Sequence, residues 1–289
     1  MNTWVWLNDE IVESHSANVN VFDHGLTVAD GIFETLKIAD GQVFAFDRHV
    51  DRLQRSADIL GLGMIDRDAI AKGVAEVLAA NAGLTTGRMR ITLTSGVGPL
   101  GSDRLDSPHT LVIAASATKL WPEETSVVIV PWIRNERSAI AGAKSTSYAE
   151  NVVALQAAHD AGFSEAVFTD SRGHISEGTG TNIFMVNAGM IHTPAIDTGL
   201  LQGITRNLVI EWAQGAELGV AEDHFSVADL LEADEVFITS STRDVHPVTS
   251  LGVMAPDKAV VTRVNKSRGS VTTQLQKLFA ENARKNVNP

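Results

Sequence analysis

Two stretches of the C-terminal half decide the fold: residues 174–186, HISEGTGTNIFMV, and residues 200–212, LLQGITRNLVIEW. The first is a Gly-rich turn running into an apolar segment, which predicts a strand. The second has Gly203 directly before a run with helical spacing of apolar residues. Backbone N–H groups at a helix N-terminus attract anions such as phosphate, so the amides of Ile204 and Thr205 indicate an anion site. The alternative is an ordinary helix cap.

Further predicted strands and helices alternate on both sides of these stretches and predict mixed α/β domains in an α+β chain. The N-terminal part begins with WVWLNDEIV and NVNVF, which we interpret as two short strands with a turn, and continues with a hairpin around Asp40 and Gly41. Two amphipathic helices and two more strands follow. The polar, Pro-containing segment TKLWPEET indicates a connector. The expected organisation is a small N-terminal domain over 1–117, a connector over 118–126 and a large C-terminal domain over 127–289.

The composition limits the possible partners. The 289 residues include 23 Lys and Arg against 35 Asp and Glu, a net charge of −12. Such a chain does not attract nucleic acid or an anionic membrane by its overall charge, so we expect neither as a partner. No cysteine is present, which excludes disulfides and thiolate catalysis. We see no signal peptide and no membrane-spanning stretch, and the histidines are scattered. We therefore expect a cytoplasmic protein without a metal site.

Lys144 lies among small residues in the segment 140–148, IAGAKSTSY. The segment is predicted between an apolar strand and a helix start. Small neighbours let a planar group approach the amine, and a neutral, partly desolvated amine is the nucleophile that forms Schiff bases. A lone lysine in such a place is more often an ordinary surface residue. The catalytic interpretation therefore depends on partners elsewhere in the chain.

Two further features supply such partners. Glu177 lies in the Gly-rich turn, and a carboxylate beside a pyridine nitrogen keeps that nitrogen protonated, so that the ring withdraws electrons. The predicted strand EVFITS ends at Ser240, Ser241 and Thr242, whose hydroxyls suit a second phosphate contact. Each feature alone is more often a simple turn. Together with Lys144 they are the contacts that a phosphorylated pyridine cofactor requires.

In their order along the chain, these segments resemble the class IV aminotransferases, the fold-type IV pyridoxal-phosphate enzymes. The resemblance rests on the ordered set AK, SEGTGTN, LLQGITR, ADEVFITSST and PV within residues 143–248, and it extends over nearly the whole chain. It implies the two-domain fold of the D-amino-acid aminotransferases, with pyridoxal 5'-phosphate as the cofactor. It also implies a homodimer.

The resemblance implies roles for individual residues. Lys144 matches the Schiff-base lysine that moves the substrate proton, and Glu177 matches the partner of the pyridine nitrogen. Tyr148 matches the tyrosine that bonds the phenolic oxygen, although branched-chain enzymes have theirs one position further from the lysine. The other expected cofactor residues pack on the ring or bind the phosphate; they are Arg52, Leu201, Gly203, Ile204, Thr205, Ser241 and Thr242.

Four residues are expected on the substrate side. Phe33 and Thr35 lie in DGIFETLKI, a family motif, and alternate onto one face of the predicted strand. Arg90 falls where branched-chain aminotransferases place a carboxylate-binding arginine. Arg243, just after the phosphate segment, could reach the same carboxylate, since arginine grips a carboxylate by two hydrogen bonds. Surface salt bridges are the alternative for both arginines.

Three functions stay open from the sequence. The first is a transaminase that moves the amino group of a D-amino acid or (R)-amine to a keto acid, with a branched-chain L-amino-acid aminotransferase as its variant. The second is a 4-amino-4-deoxychorismate lyase that releases pyruvate and 4-aminobenzoate, which Thr35 favours. The third is a non-catalytic relative that stores or senses the cofactor, against which Lys144 and Glu177 argue.

Overall fold

The computed structural model describes residues 3–289, and their contacts group into two units. Unit 1 comprises residues 3–120, Ala143–Ser147 and Asn286–Pro289, and unit 2 comprises Trp121–Gly142 and Tyr148–Lys285. Both units mix helices and strands, so the expected α+β class with mixed α/β domains is confirmed. Among the described residues, no helix has the length and apolar character needed to cross a membrane.

Unit 1 is built on one antiparallel sheet. Its strands are β1 (Trp4–Leu7), β2 (Glu10–Glu13), β3 (Gly31–Ala39), β4 (Gln42–Val43), β5 (Thr86–Thr94) and β6 (Thr110–Ala117), and its helices are α1 (His24–Thr27), α2 (Phe46–Leu60) and α3 (Arg67–Ala80). The strand order is β2-β1-β6-β5-β3-β4. Apolar side chains of α2 and α3 join the core on one face of the sheet, with Leu53, Val77 and Ile91 fully buried. Burial of each such side chain stabilises the fold by about 1.5–3 kcal/mol.

The hairpins of unit 1 follow from their turn residues. Asp40 (φ 49°) and Gly41 (φ 74°) both have positive φ, which is the backbone that lets a two-residue turn match the twist of its strands. Asn8 (φ 45°) and Asp9 (φ 73°) do the same for β1 and β2. The two strands of that first hairpin cover WVWLNDEIV and end one residue after it, at Glu13. The strand expected over NVNVF (18–22) is therefore wrong, because β1 already has β2 and β6 as its partners.

The segment Ala143–Ser147 joins unit 1 through the open edge of β3. Strand β4 pairs only with the last two residues of β3, so the first half of β3 has unused hydrogen-bonding groups on that side. The Phe33 N–H donates to the Lys144 carbonyl (2.9 Å), and the Thr146 N–H donates to the Gly31 carbonyl (2.8 Å). Lys144 therefore groups with unit 1, although the sequence placed it in the C-terminal domain. The expected domain bounds stay a prediction.

Unit 2 is built on a nine-stranded mixed sheet. Its strands are β7 (Thr125–Ile133), β8 (Glu165–Thr169), β9 (Ile175–Gly178), β10 (Asn182–Asn187), β11 (Met190–Pro194), β12 (Val220–Asp223), β13 (Glu235–Ser240), β14 (Asp244–Met254) and β15 (Val260–Asn265), and its helices are α4 (Ala149–Asp160), α5 (Ile204–Gly215), α6 (Val227–Glu232) and α7 (Ser270–Lys285). The order is β12-β11-β10-β13-β14-β7-β8-β9, with β15 paired to β14. Alternate residues of β7 join two different apolar clusters, so the sheet is covered on both faces there.

Glu177 has a local structure that differs from the expected one. The sequence placed it in a turn, whereas it lies on β9, which pairs with β8. The turn follows at residues 179–181. The side chain of Glu177 therefore extends from a strand, which fixes the carboxylate more firmly than a loop would.

Candidate active site

Lys144 is anchored on both sides by its backbone within unit 1. Its N–H donates to the Ser56 hydroxyl (3.0 Å), and its carbonyl accepts from the Phe33 N–H (2.9 Å). Its Nζ lies 4.5 Å from the centre of the Phe33 ring. The base of the side chain is thus fixed by α2 and β3, and the amine lies over an aromatic face, which attracts cations.

Phe33 also contacts a second cation. The guanidinium carbon of Arg90 lies 3.6 Å from the centre of the Phe33 ring. Thr35 is the cross-strand partner of Arg90, and both line a cavity of about 230 Å³ together with Arg88. The structure thus brings together three of the four expected substrate residues in unit 1, on the sheet face that Phe33 shares with Lys144.

A buried ion pair lies on the other face of β3. Arg52 donates from Nε and Nη2 to the two carboxylate oxygens of Glu34 (2.8 and 2.7 Å), and His49 Nδ1 lies 2.7 Å from the same carboxylate. The expected role of Arg52 in phosphate binding stays a prediction, and the structure gives its guanidinium a carboxylate partner. Sequence reasoning placed Glu34 in the DGIFETLKI motif on the substrate side but did not predict its pairing with Arg52, and it missed His49. The helical spacing could have indicated a buried polar cluster, because His49 and Arg52 are three residues apart on the buried face of an amphipathic helix.

Electrostatics fix the charges of this cluster. Burial alone would raise the pKa of Glu34, but the charge and hydrogen bonds of Arg52, with the bond from His49, lower it to about 2. Burial lowers the pKa of His49, in opposition to its bond with Glu34. At neutral pH, Glu34 is therefore ionised and His49 is a neutral imidazole that donates Nδ1–H to it. The positive charge of Arg52 is compensated inside unit 1.

In unit 2, Glu177 is held by a backbone amide and a cation. Its Oε2 accepts from the Leu201 N–H (2.9 Å), and its Oε1 lies 3.1 Å from Nε of Arg134. Leu201 is fixed on its other side by Asn182, which donates to its carbonyl (2.8 Å). The structure thus joins Glu177 to Leu201. Sequence reasoning missed Arg134, and no local pattern marks it, because only the β-sheet brings β7 beside β8 and β9.

The start of α5 has the properties of a phosphate site. Gly203 is the N-cap, no side chain caps the first-turn amides, and no acidic residue lies in that turn. A Cβ at position 203 would collide with the Asn182 side chain, so the close approach requires glycine. Ile204 and Thr205 are buried beside it. After β13, the Arg243 N–H donates to the Ser240 carbonyl (3.2 Å) and closes a turn whose central residues are Ser241 and Thr242.

These residues fit pyridoxal phosphate. The uncapped amides of Ile204 and Thr205 suit its phosphate, the carboxylate of Glu177 suits its pyridine nitrogen, and the amine of Lys144 suits its aldehyde carbon. Tyr148 is the one tyrosine of the chain and stands at the N-cap of α4, and its phenol suits the cofactor's phenolic oxygen. In its chemistry, each of these groups matches one part of the cofactor.

The comparisons with known proteins identify the family of the whole chain. Residues 31–251 match the family model described as amino-transferase class IV. A Methanocaldococcus jannaschii protein, provisionally named a branched-chain-amino-acid aminotransferase, is 34% identical over 282 residues, which cover 96% of this chain and 95% of that one. The D-alanine aminotransferase of Listeria innocua is 31% identical over 290 residues, with 96% and 95% coverage. The structure of a branched-chain aminotransferase from Thermoproteus uzoniensis superposes with a TM-score of 0.87 at 28% identity, with 97% and 94% coverage.

The chain belongs to the class IV aminotransferases, of fold type IV. Its cofactor is pyridoxal 5'-phosphate, which this family uses. Both expectations from the sequence, the family and the cofactor, are confirmed. The comparisons include relatives with different named activities, so the choice among them depends on the substrate residues.

Proposed function

We propose that the protein is a transaminase that moves the amino group of a D-amino acid or (R)-amine to a keto acid. Lys144 is the proposed catalytic residue, which accepts and returns the proton of the substrate carbon. Pyridoxal phosphate supplies the electron sink for this proton transfer. The proposed cofactor residues are Arg52, Tyr148, Glu177, Leu201, Gly203, Ile204, Thr205, Ser241 and Thr242.

The observation that carries the proposal is the contact of Arg90 and Lys144 with the same Phe33 ring. A carboxylate held by Arg90 would lie on the sheet face that also carries the reactive amine. A donor with both a carboxylate and an amino group on one carbon matches that arrangement. The D-configuration is supported by the similarity to the D-alanine aminotransferase and by Tyr148, which is one position away from the tyrosine of branched-chain enzymes.

A half-reaction on the holoenzyme tests the proposal. D-alanine, L-leucine, (R)-1-phenylethylamine and aminodeoxychorismate are added separately, and the absorbance of the cofactor is followed. We expect D-alanine to convert the cofactor to its pyridoxamine form. Conversion by L-leucine alone would replace the proposal with the branched-chain aminotransferase. Release of pyruvate from aminodeoxychorismate without conversion by any amino donor would replace it with the lyase, which Thr35 favours.

The proposed oligomer is a homodimer, and an exposed apolar patch on unit 1 supports it. Val21, Leu26 and Leu100 are 67%, 68% and 76% exposed. Their two segments are joined by the bridge between Asp23 and Val97. Exposed apolar side chains grouped in this way are typical of protein interfaces.

Sedimentation velocity tests the dimer. We expect a dimer for the unaltered chain and a shift towards monomer for Leu26→Glu. Met64→Glu is the matched control, because Met64 is 81% exposed but lies outside the two segments. A monomer for the unaltered chain at micromolar concentration would refute the dimer.

A further inference from the structure

Arg243 is a stacked arginine in unit 2 that forms no ion pair within residues 3–289. Its guanidinium carbon lies 3.7 Å from the centre of the Trp121 ring. Its Nη1 donates to the Thr125 hydroxyl (3.3 Å) and to His246 Nδ1 (3.3 Å). The plane of the guanidinium is thus fixed by a ring on its face and two acceptors on one nitrogen.

The tautomer of His246 follows from its second contact. Its Nε2 lies 2.8 Å from the Pro122 carbonyl, which can only accept, so Nε2 carries the hydrogen and Nδ1 accepts from Arg243. Burial lowers the pKa of His246, and the nearby charge of Arg243 lowers it further. The imidazole therefore stays neutral beside the guanidinium and keeps Nη1 occupied.

The other edge of the guanidinium has no protein acceptor. Among residues 3–289, neither Nε nor Nη2 of Arg243 donates to a protein group. The carboxylate that acts on it electrostatically is Glu165, which accepts instead from the N–H and hydroxyl of Thr179 and from the Ala166 N–H. The Nε–Nη2 edge is the one that binds a carboxylate by two parallel hydrogen bonds.

The backbone of Arg243 lies directly beside the proposed phosphate-binding segment. Arg243 follows Thr242 directly and closes the turn that presents the proposed phosphate-binding hydroxyls. We propose that the Nε–Nη2 edge of Arg243, held by Trp121, Thr125 and His246, binds a carboxylate of the substrate, so that the enzyme selects amino acids and keto acids over simple amines. This inference rests on the proposed transaminase function.

The activity of Arg243 variants with three amino donors tests the proposal. The holoenzyme, Arg243→Gln and Arg243→Lys are compared by kcat/KM of the half-reaction with D-alanine, D-glutamate and (R)-1-phenylethylamine. For Arg243→Gln we expect a loss of about 10- to 100-fold with the donors whose carboxylate Arg243 binds, since a hydrogen bond to a charged group contributes roughly 1.5–3 kcal/mol. The amine, which has no carboxylate, keeps its value within about threefold. Arg243→Lys retains the charge but cannot form the two parallel hydrogen bonds, so we expect its kcat/KM to lie between those of the unaltered enzyme and Arg243→Gln.

The pattern across donors identifies the carboxylate. Losses with both D-alanine and D-glutamate assign the α-carboxylate, and a loss with D-glutamate alone assigns the distal one. Equal losses with all three donors, or no loss, would overturn the proposal. Arg263→Gln is the matched control, because Arg263 also stacks on a ring, that of Phe163 at 4.3 Å, and is exposed elsewhere on unit 2. We expect it to change none of the three values.

Direct binding separates this proposal from the proposed function. Calorimetry with glutarate and propionate on the holoenzyme measures carboxylate binding without turnover. We expect at least tenfold weaker binding of one or both acids by Arg243→Gln, with an unchanged melting temperature. If no donor is converted by the unaltered enzyme, the transaminase function fails, and the calorimetric result alone decides the role of Arg243. Equal carboxylate binding by the unaltered enzyme and Arg243→Gln would overturn the proposed role of Arg243.

Discussion

The buried pair of Glu34 and Arg52 gives a sharp prediction on stability. Glu34→Gln keeps the size of the side chain but removes its negative charge. Arg52, which is 4% exposed, then keeps its guanidinium buried without a counter-charge. Loss of one partner from a buried pair costs about 3–5 kcal/mol, because the remaining charge is left unpaired. We expect the free energy of unfolding of the apoprotein at pH 7 to fall by this amount.

The pKa of Glu34 gives the pH dependence. Its pKa falls from 4.5 in the unfolded chain to about 2 in the fold. A lowered carboxyl pKa stabilises the fold above the unfolded pKa, and this contribution is lost as the pH falls through the folded pKa. The shift corresponds to about 3 kcal/mol at neutral pH, which agrees with the cost of breaking the pair. The difference between the two proteins is therefore constant above about pH 5 and shrinks from there towards pH 2.

Urea unfolding followed by circular dichroism between pH 3 and pH 7 measures this difference. Asp51→Asn is the matched control, because Asp51 lies on the same helix as Arg52 and its pair with Arg67 of α3 (2.6 Å) is about half exposed. Exposed pairs contribute about 0–1 kcal/mol. A loss for Glu34→Gln as small as that of the control, or a difference that does not change between pH 5 and pH 3, would refute the reasoning.

Three further variants test the cofactor residues. Lys144→Ala should lose every borohydride-stable attachment of pyridoxal phosphate, seen by mass spectrometry, and about 10³-fold in transamination rate; retained attachment would contradict its role. Gly203→Ala should displace the side chain of Asn182. We expect the free energy of unfolding, measured by calorimetry, to fall by about 1–3 kcal/mol, and cofactor binding, measured by fluorescence titration, to weaken. Arg134→Gln removes the guanidinium 3.1 Å from Glu177 and should cost the apoprotein about 1–3 kcal/mol in urea unfolding, whereas an unchanged midpoint would exclude the pair as a stabilising contact.

Local sequence determined much of the fold. The Asp40-Gly41 turn and the helix that begins after Gly203 both agree with their predictions. Each depends on residues close together in the chain, such as a glycine at a positive φ or at a cap. The strand expected over NVNVF failed because strand pairing is a long-range property, which local apolar alternation does not specify.

The sequence also determined the family and the cofactor of this protein, because the order of a lysine, a carboxylate and two predicted phosphate-binding segments is a linear property. It did not determine where these residues lie. Lys144 joins unit 1 because the open edge of β3 takes up its segment, and Arg134 reaches Glu177 because β7 and β9 both flank β8. The edge of Arg243 without a protein acceptor likewise depends on Trp121 and His246, which only the folded chain brings beside it. Such contacts join distant parts of the chain, so their geometry is decided by sheet pairing and side-chain packing in the tertiary structure.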